Sequence, residues 1–321
     1  MHGPCAWQPH SSGSKALRLF RTAVCMIVPL SFVVGFAAAG PARAGPPSLE
    51  ALIGKAVEAI DEATQYTYTL KKRDRLLPGD DLGPEEVLEI KFRKPEEIYL
   101  KTVAGPNKGR EVLFSPERTG DRIVGHEPWM RWPLRSVTVD PLGVQAMKYT
   151  HRPITEAEVG FCIRVLRDSM AKDRRLRAED PGYEPIRVEG PEAVVEDGIP
   201  LYRFRVSPPE LWHSYTAVAE DRTLFDIAAR LGVQVNCLIY YNDGVDHIRD
   251  FSPGDVLRSP YYCGKHGEFW LYRDNVFLYR QLITDWFGNT YEDYTHLDIR
   301  IDEDAALTDR DFERDNRDYR F

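Results

Sequence analysis

Alternation of apolar and polar side chains at every second position recurs along most of this chain of 321 residues. In the segment 86–93, for example, Leu88, Ile90 and Phe92 alternate with charged side chains. This period indicates strands with one buried face, and connections rich in Pro and Gly favour antiparallel neighbours. Strands are predicted at residues 65–73, 86–93, 98–103, 110–115, 122–124, 186–189, 193–196, 201–207, 269–273, 276–283, 289–297 and 297–302.

Two segments have the spacing of helices instead. Ser48 is suited to begin a helix over residues 48–63, where apolar side chains recur at every third or fourth position. A second helix is predicted to begin near Thr155, which has capping-box spacing with Glu158, and to carry an apolar stripe through Cys162. The order of helix, strands, helix and strands predicts an α+β fold built on an antiparallel sheet.

The first 44 residues differ from the rest in charge and hydropathy. They contain four basic groups and no acidic ones, and the chain is almost wholly apolar from Ala23 to Ala39. A basic segment, an apolar run and Ala42-Arg43-Ala44 follow one another as in a secretory signal, which predicts export and cleavage after Ala44. A retained membrane anchor is the alternative, although the run is at the short limit for a membrane span.

Charge and missing motifs restrict the function. The 42 Lys and Arg against 50 Asp and Glu give a formal charge of −8, and removal of the four basic groups of the leader lowers it to −12. Such an acidic balance argues against nucleic acid as a partner. The sequence contains no G-x-S-x-G elbow, P-loop, H-E-x-x-H or C-x-x-C motif. We therefore predict a protein that is not an enzyme and needs no cofactor or metal.

The pattern changes between Pro208 and Cys263, where a short strand, two helices and a returning strand are predicted. Thr223 and Asp226 have the spacing of a capping box, and Gly232 is suited to a left-handed helix end. This stretch resembles the LysM module, a small βααβ domain that binds the N-acetylglucosamine backbone of peptidoglycan or chitin. The resemblance is carried by Val218, Thr223, Leu224, Ile227, Ala228, Gly232, Val233, Val235, Leu238, Asn242, Pro253, Gly254, Val256, Leu257 and Pro260.

The resemblance implies a glycan site in two loops, one before the first helix of the module and one after its second helix. The family usually has Gly-Asp where this chain has Asp221-Arg222. A degenerate module that only packs on its host is therefore the alternative. The implied glycan-binding residues are Asp221, Arg222, Thr223, Leu224, Asn242, Asp243, Gly244 and Val245.

Four stretches outside this module carry a second resemblance. They begin with Phe92-Arg93-Lys94-Pro95, Gly109-Arg110-Glu111-Val112, Asp140-Pro141-Leu142-Gly143 (followed by Arg152-Pro153-Ile154-Thr155-Glu156) and Leu307-Thr308-Asp309-Arg310. These stretches resemble an uncharacterised family of exported bacterial proteins, the domain of unknown function number fifteen seventy-one. The match covers most of residues 48–208 and 269–321.

That family is similar in fold to the LolA/LolB lipoprotein carriers. The similarity implies a curved antiparallel half-barrel, closed by helices over an apolar cavity for acyl chains. In the alternative, the apolar strand faces pack directly on the two helices and leave no cavity, because one-faced strands have the same pattern in both cases. The candidate lining residues are Tyr66, Tyr68, Leu88, Ile90, Phe92, Ile98 and Leu100.

The sequence thus predicts a signal peptide at 1–44, a half-barrel domain at 45–210 and 265–321, and a LysM-like module at 211–264. Cys237 and Cys263 flank the module and form the favoured disulfide, with three buried thiols as the alternative. We expect a protein of the periplasm or cell envelope that holds an acyl group of a lipid or lipoprotein and attaches to peptidoglycan. The alternative is a structural envelope scaffold with a filled core and a degenerate module. The sequence leaves the oligomeric state open.

Overall fold

Antiparallel strands dominate the computed structural model, which describes residues 45–77, 79–148 and 150–321. The predicted signal peptide and its cleavage site lie outside the described residues. The strands are β1 (Gln65–Asp74), β2 (Glu86–Arg93), β3 (Glu97–Ala104), β4 (Glu111–Phe114), β5 (Ile123–His126), β6 (Val137–Val139), β7 (Arg187–Glu196), β8 (Ile199–Ser207), β9 (Trp212–Thr216), β10 (Val256–Pro260), β11 (His266–Tyr272), β12 (Leu278–Thr284) and β13 (Thr290–Ile301).

Eleven of these strands form one sheet in the order β6-β5-β4-β3-β2-β1-β13-β12-β11-β8-β7, and β9 pairs with β10 in a separate ribbon. All of these pairs are antiparallel. The α+β fold with an antiparallel sheet is therefore confirmed. The helices are α1 (Leu49–Glu62), α2 (Pro116–Thr119), α3 (Val144–Met147), α4 (Phe161–Glu179), α5 (Leu224–Leu231) and α6 (Val235–Tyr240), with short 3-10 turns at Ile154–Glu156, Asp302–Asp304 and Asp309–Phe312.

Helix α1 forms as predicted, and its apolar stripe packs on the sheet. Ser48 caps it by accepting a hydrogen bond from the backbone N–H of Ala51, at 3.2 Å. Leu52 and Ile60 are fully buried in one core cluster with side chains of β1, β2 and β3. Burial of such aliphatic side chains contributes about 1.5–3 kcal/mol each, so this contact is a major part of the core.

Helix α4 begins later than the capping-box spacing predicted, at Phe161 rather than near Thr155. The chain before it forms a short 3-10 turn at Ile154–Glu156 and is held by hydroxyl groups of β1. The Tyr68 hydroxyl donates to the Ala157 carbonyl at 2.6 Å, and the Val159 N–H donates to the Tyr66 hydroxyl at 3.3 Å. These contacts fix the start of α4 against the sheet. No helix in the described part of the chain is long and apolar enough to cross a bilayer.

Residues 212–260 form the predicted βααβ arrangement, with a hydrophobic cluster of their own. The capping box between Thr223 and Asp226 is present, and Gly232 ends α5 with a φ of 64°. The cluster includes Leu224, Ile227, Leu238 and Leu257. This segment, β9-α5-α6-β10, is called the insert below. Its local structure follows the sequence pattern, and its identity as a LysM module stays a prediction.

The insert also contacts the large sheet. Cys237 on α6 forms a disulfide with Cys263, which precedes β11. The side-chain amide of Asn236 donates to the Tyr291 hydroxyl at 2.6 Å, and the Tyr240 hydroxyl donates to Asp285 at 2.5 Å. Because these contacts come from one helix, α6 is the element that joins the insert to β11–β13.

Candidate functional site

A cavity of about 110 Å³ lies between α4 and the large sheet. Helix α4 contributes Cys162, Val165, Leu166 and Ser169, which are spaced so that they share one face of the helix. Strands β8, β11, β12 and β13 contribute the opposite wall. We call this cavity the α4 pocket.

The register of the sheet explains the shape of the α4 pocket. Val206, Gly267, Ile283 and Glu292 are direct neighbours across β8, β11, β12 and β13, so their positions share one face. Gly267 has no side chain in this row, and the Phe269 ring occupies the space above it, since a Cβ atom there would lie 2.7 Å from that ring. A glycine inside this strand thus lets the Phe269 ring, which lines the pocket, lie close to the backbone of the sheet.

The insert forms part of the rim of the pocket. Gln234, at the start of α6, and Tyr262, Cys263 and Gly264, which follow β10, all line it. The disulfide between Cys237 and Cys263 ties α6 to this rim. The α4 pocket is therefore shaped by three parts of the fold: α4, the sheet and the insert.

One end of the pocket is polar. The guanidinium of Arg152 donates to Glu292 at 2.5 Å and to the Cys162 sulfur at 2.8 Å. The side-chain amide of Gln281 donates to the same oxygen of Glu292 at 2.7 Å. Glu292 is 1% exposed, and Gln281 is fully buried. The charge of the guanidinium is thus already paired within the protein.

A second ion pair extends this polar end into the sheet. Lys72 and Asp74 on β1 lie 2.8 Å apart, and His151 lies between the carboxylates of Asp74 and Glu292, at 3.8 and 3.6 Å. Burial raises the pKa of Asp74, but Lys72 and His151 outweigh burial and lower it to about 2. Asp74 is therefore paired with Lys72, as Glu292 is with Arg152.

The groups around the pocket are not activated for nucleophilic chemistry. Burial raises the pKa of the Cys162 thiol, in spite of the opposing effect of Arg152, so the reactive thiolate is disfavoured. Burial also raises the pKa of Glu156 to about 7. In the described part of the chain, no group of three His, Cys, Asp or Glu side chains is arranged to hold a metal ion. What this arrangement offers is an apolar wall next to a charge-paired polar end.

The predicted lining residues lie elsewhere in the sheet. They occupy β1, β2 and β3 and pack with α1 in the main core, and none of them lines the α4 pocket. Six are buried, and the Tyr66 and Phe92 rings stack at a centroid distance of 4.7 Å. The sequence prediction took these residues from the apolar face of the strands, as the resemblance to the carriers implied. The local signal nearest to the observed pocket was the apolar stripe of α4, which includes Cys162 and Leu166.

Half of the predicted glycan-binding residues support the insert itself. Asp221 accepts hydrogen bonds from the Val218 N–H and the Tyr215 hydroxyl, and its carboxylate pairs with Arg230 at 3.0 Å. Asn242 bridges α6 and β10, since its side chain donates to Leu238 and Arg258 carbonyls and accepts from the Arg258 N–H. Leu224 and Val245 are buried.

Three of the other four positions are exposed at the surface of the insert, and the side chain of the fourth, Thr223, is engaged in the capping box with Asp226. Arg222, Asp243 and Gly244 are exposed, and Thr223 is half-buried. The Leu224 N–H donates to the Ile248 carbonyl at 2.8 Å, which joins the first predicted loop to the chain beyond the second. Glycan binding at these positions stays a prediction.

Comparison with known proteins gives one sequence match. The model of a family described as "Protein of unknown function (DUF1571)" matches residues 63–244. No curated protein matches the chain.

Several solved structures resemble this chain weakly. An uncharacterised conserved protein from Thermus thermophilus has a TM-score of 0.39 at 7% identity, covering 85% of this chain and 98% of its own. A LolA superfamily protein from Nitrosomonas europaea has a TM-score of 0.31 at 8% identity, covering 84% and 99%. The Mycobacterium tuberculosis lipoprotein LppX has a TM-score of 0.36 at 10% identity, covering 82% and 99%.

Proposed function

The chain belongs to the DUF1571 family of proteins of unknown function, whose model covers more than half of it. From this premise we propose that it is an exported, non-enzymatic protein of the periplasm or cell envelope that binds an acyl group of a lipid or lipoprotein. In this proposal the sheet acts as a carrier-like half-barrel closed by helices. The observation that carries the proposal is the α4 pocket, with its apolar wall and paired charges.

The physical reason for binding is the hydrophobic effect. An acyl chain in water costs about 0.8 kcal/mol for every CH₂ group that stays hydrated. The wall of the pocket offers Val165, Leu166, Val206, Phe269 and Ile283 to such a chain. A protein that hides these groups can hold a lipid within an aqueous compartment.

The size of the pocket limits what it holds without movement. Apolar cavities of roughly 150 Å³ accept a guest the size of benzene, so about 110 Å³ accommodates only a few carbons of an acyl chain. A complete chain therefore requires α4 to move away from the sheet. Val165 and Ser169 are half-buried, which puts the accessible edge of the pocket along this helix.

The insert supplies the second part of the proposal, attachment to peptidoglycan. Its βααβ order and the exposed Arg222, Asp243 and Gly244 support a glycan site at the two loops. Because the insert also forms the rim of the α4 pocket, attachment would hold the carrier on the cell wall with the pocket next to its anchor.

A structural envelope scaffold is the second candidate function. It is favoured by one observation: β1, β2 and β3 pack on α1 without contributing to the pocket. In that case the small α4 pocket is a packing defect, and the insert is a degenerate module that only covers the sheet.

Titration of the full chain with a fluorescent fatty-acyl probe separates these functions. Val165→Asp places a charge in the pocket wall, and we expect it to abolish saturable binding. Val195→Asp is the matched control, because Val195 is 66% exposed on β7 and should leave binding unchanged. Absence of saturable binding to the wild type, or equal binding by both variants, would contradict the carrier function.

Sedimentation with purified peptidoglycan tests the insert. The wild type should pellet with the polymer, and the double variant Arg222→Ala/Asp243→Ala should remain in the supernatant. Arg187→Ala, at an exposed position on β7, is the control. A wild type that stays in the supernatant would remove peptidoglycan from the proposal.

A further inference from the structure

Two buried hydrogen-bonding atoms of pocket-lining side chains have no partner. They are Nε of Arg152, a donor, and Oε1 of Gln281, an acceptor. The other polar atoms of these side chains are engaged with Glu292 and Cys162. Buried polar atoms are costly to leave unpaired, and native proteins rarely do so. Each of these two atoms has less than 1 Å² of accessible surface, so a ligand reaches them only when α4, whose Cys162 contacts Arg152, moves away from the sheet. A free donor and a free acceptor under the same helix indicate a ligand that supplies the complement of both.

Resting on the acyl-binding function proposed above, we propose that the α4 pocket selects an uncharged acyl amide, an aliphatic chain that ends in –CO–NH–. The amide carbonyl accepts a hydrogen bond from Nε–H of Arg152. The amide N–H donates to Oε1 of Gln281. The aliphatic chain extends from this polar end along the apolar row of the sheet, towards Ile283 and Val206.

The charges of the site favour an amide over a carboxylate. Arg152 is already neutralised by Glu292 at 2.5 Å, and Glu292 is almost completely buried. A fatty-acid carboxylate would bring a second negative charge next to Glu292, in a region where water screens charges poorly. It would also offer no N–H group to Gln281.

The shape of the site fits the same ligand class. Along the row Asp74, Glu292, Ile283, Gly267 and Val206, the side chains change from charged to apolar across five neighbouring strands. A ligand with one polar group and one long apolar tail matches this gradient. A methyl ester has the tail and the carbonyl but lacks the donor, so it tests the contribution of Gln281 alone.

The test compares three ligands of one chain length on the full wild-type chain: dodecanamide, methyl dodecanoate and dodecanoate. Each displaces the fluorescent acyl probe, and its dissociation constant is measured. We expect the amide to bind about tenfold more tightly than either competitor, the ratio that one well-made buried hydrogen bond provides. Equal or tighter binding of the ester or the carboxylate would overturn amide selection and leave the carrier function standing. If none of the three binds, both proposals fail.

Gln281→Met removes the acceptor and keeps a side chain of similar length. We expect this variant to lose the preference for the amide over the methyl ester while it still binds the ester. Gln145→Met, at an exposed position on α3, is the matched control and should keep the preference. Circular dichroism verifies that both variants fold. If Gln281→Met does not fold, the comparison of the three ligands on the wild type decides the question by itself. A folded Gln281→Met variant with an unchanged preference would contradict the proposed contact.

Discussion

The two halves of the large sheet share the same alternation of apolar side chains but are covered differently. In the packed half, β1, β2 and β3 lie under α1, and Ile90 is 2% exposed in a continuous core. In the open half, β8, β11 and β12 lie under α4, and Ile283 is half-buried at the edge of a cavity. The open half differs at single positions: Gly267 lies inside β11, and the buried Glu292 on β13 is paired with Arg152, which also contacts Cys162 on α4.

This comparison shows that apolar alternation specifies a buried face without specifying what fills it. The packed half has Tyr, Phe, Ile or Leu at most inward positions of β1, β2 and β3, so that α1 and the strands pack closely. In the open half, Gly267 interrupts the row, and Glu292 requires Arg152 beside it. Three predictions test whether the two halves differ in this way.

The largest effect is expected from truncating matched isoleucines in the two halves. Ile90→Ala should lower the free energy of unfolding by about 3–4 kcal/mol, because a rigid, filled core cannot close over the lost atoms. Ile283→Ala should cost only about 1–2 kcal/mol, since this side chain is half-buried and already faces space. Denaturant unfolding of both variants measures the difference. Similar losses at the two sites would mean that the open half is packed as tightly as the other.

Acidification should affect two buried groups near Arg152 with opposite signs. Burial, with Arg152 nearby, lowers the pKa of His296 on β13 to about 3, so the folded state resists its protonation. The unfolded chain binds this proton below about pH 6.5, so His296 destabilises the fold as the pH falls. The free energy of unfolding of the wild type minus that of His296→Asn should decrease by about 2 kcal/mol between pH 7 and pH 5.

Glu156, next to the polar end of the α4 pocket, should do the reverse. Its pKa is raised to about 7 by burial, so the folded state keeps a proton that the unfolded chain has lost. Its contribution to stability is present below about pH 4.5 and is lost as the pH rises through 7. The free energy of unfolding of the wild type minus that of Glu156→Gln should therefore increase by about 2 kcal/mol from pH 7 to pH 5. If neither difference in the free energy of unfolding changes with pH, the side chains of His296 and Glu156 are hydrated in the folded protein, which would contradict their burial.

The smallest effect is expected at two glycines, one in each half. Gly267→Ala brings a methyl group to 2.7 Å from the Phe269 ring, which must turn into the pocket. We expect a loss of about 1–2 kcal/mol in the free energy of unfolding and weaker binding of the acyl probe. Gly54→Ala, in α1, meets nothing within 4 Å and should stabilise the protein by about 0.5–1 kcal/mol. Unchanged probe binding by Gly267→Ala would show that this glycine does not shape the pocket.

Local patterns predicted much of the fold. The periods of α1 and of β1–β3, and the capping box at Thr223, depend on neighbouring residues and were found as expected. The start of α4 was missed, because tyrosine hydroxyls from β1 hold the segment before Phe161. The two strands predicted at 289–297 and 297–302 form one strand, β13.

The site was harder to predict because it depends on register between distant strands. Val206, Gly267, Ile283 and Glu292 become neighbours only when four strands pair, and no local pattern contains that information. The sequence indicated strands with one buried face. Because that pattern is the same whether helices fill the face or leave a cavity, it did not identify the half of the sheet that contains the pocket. The apolar stripe of α4 was the local signal, because its residues are neighbours on one helix.

The most direct test of the central claim is photo-crosslinking of the full chain with an acyl probe that carries a diazirine on its chain, followed by peptide mass spectrometry. If the α4 pocket is the acyl site, labels should appear on α4 between Val165 and Ser169 and on β12 near Ile283, and unlabelled dodecanamide should compete for them. Labels concentrated in residues 65–104, which include β1, β2 and β3, would move the acyl site to the packed half and contradict this account.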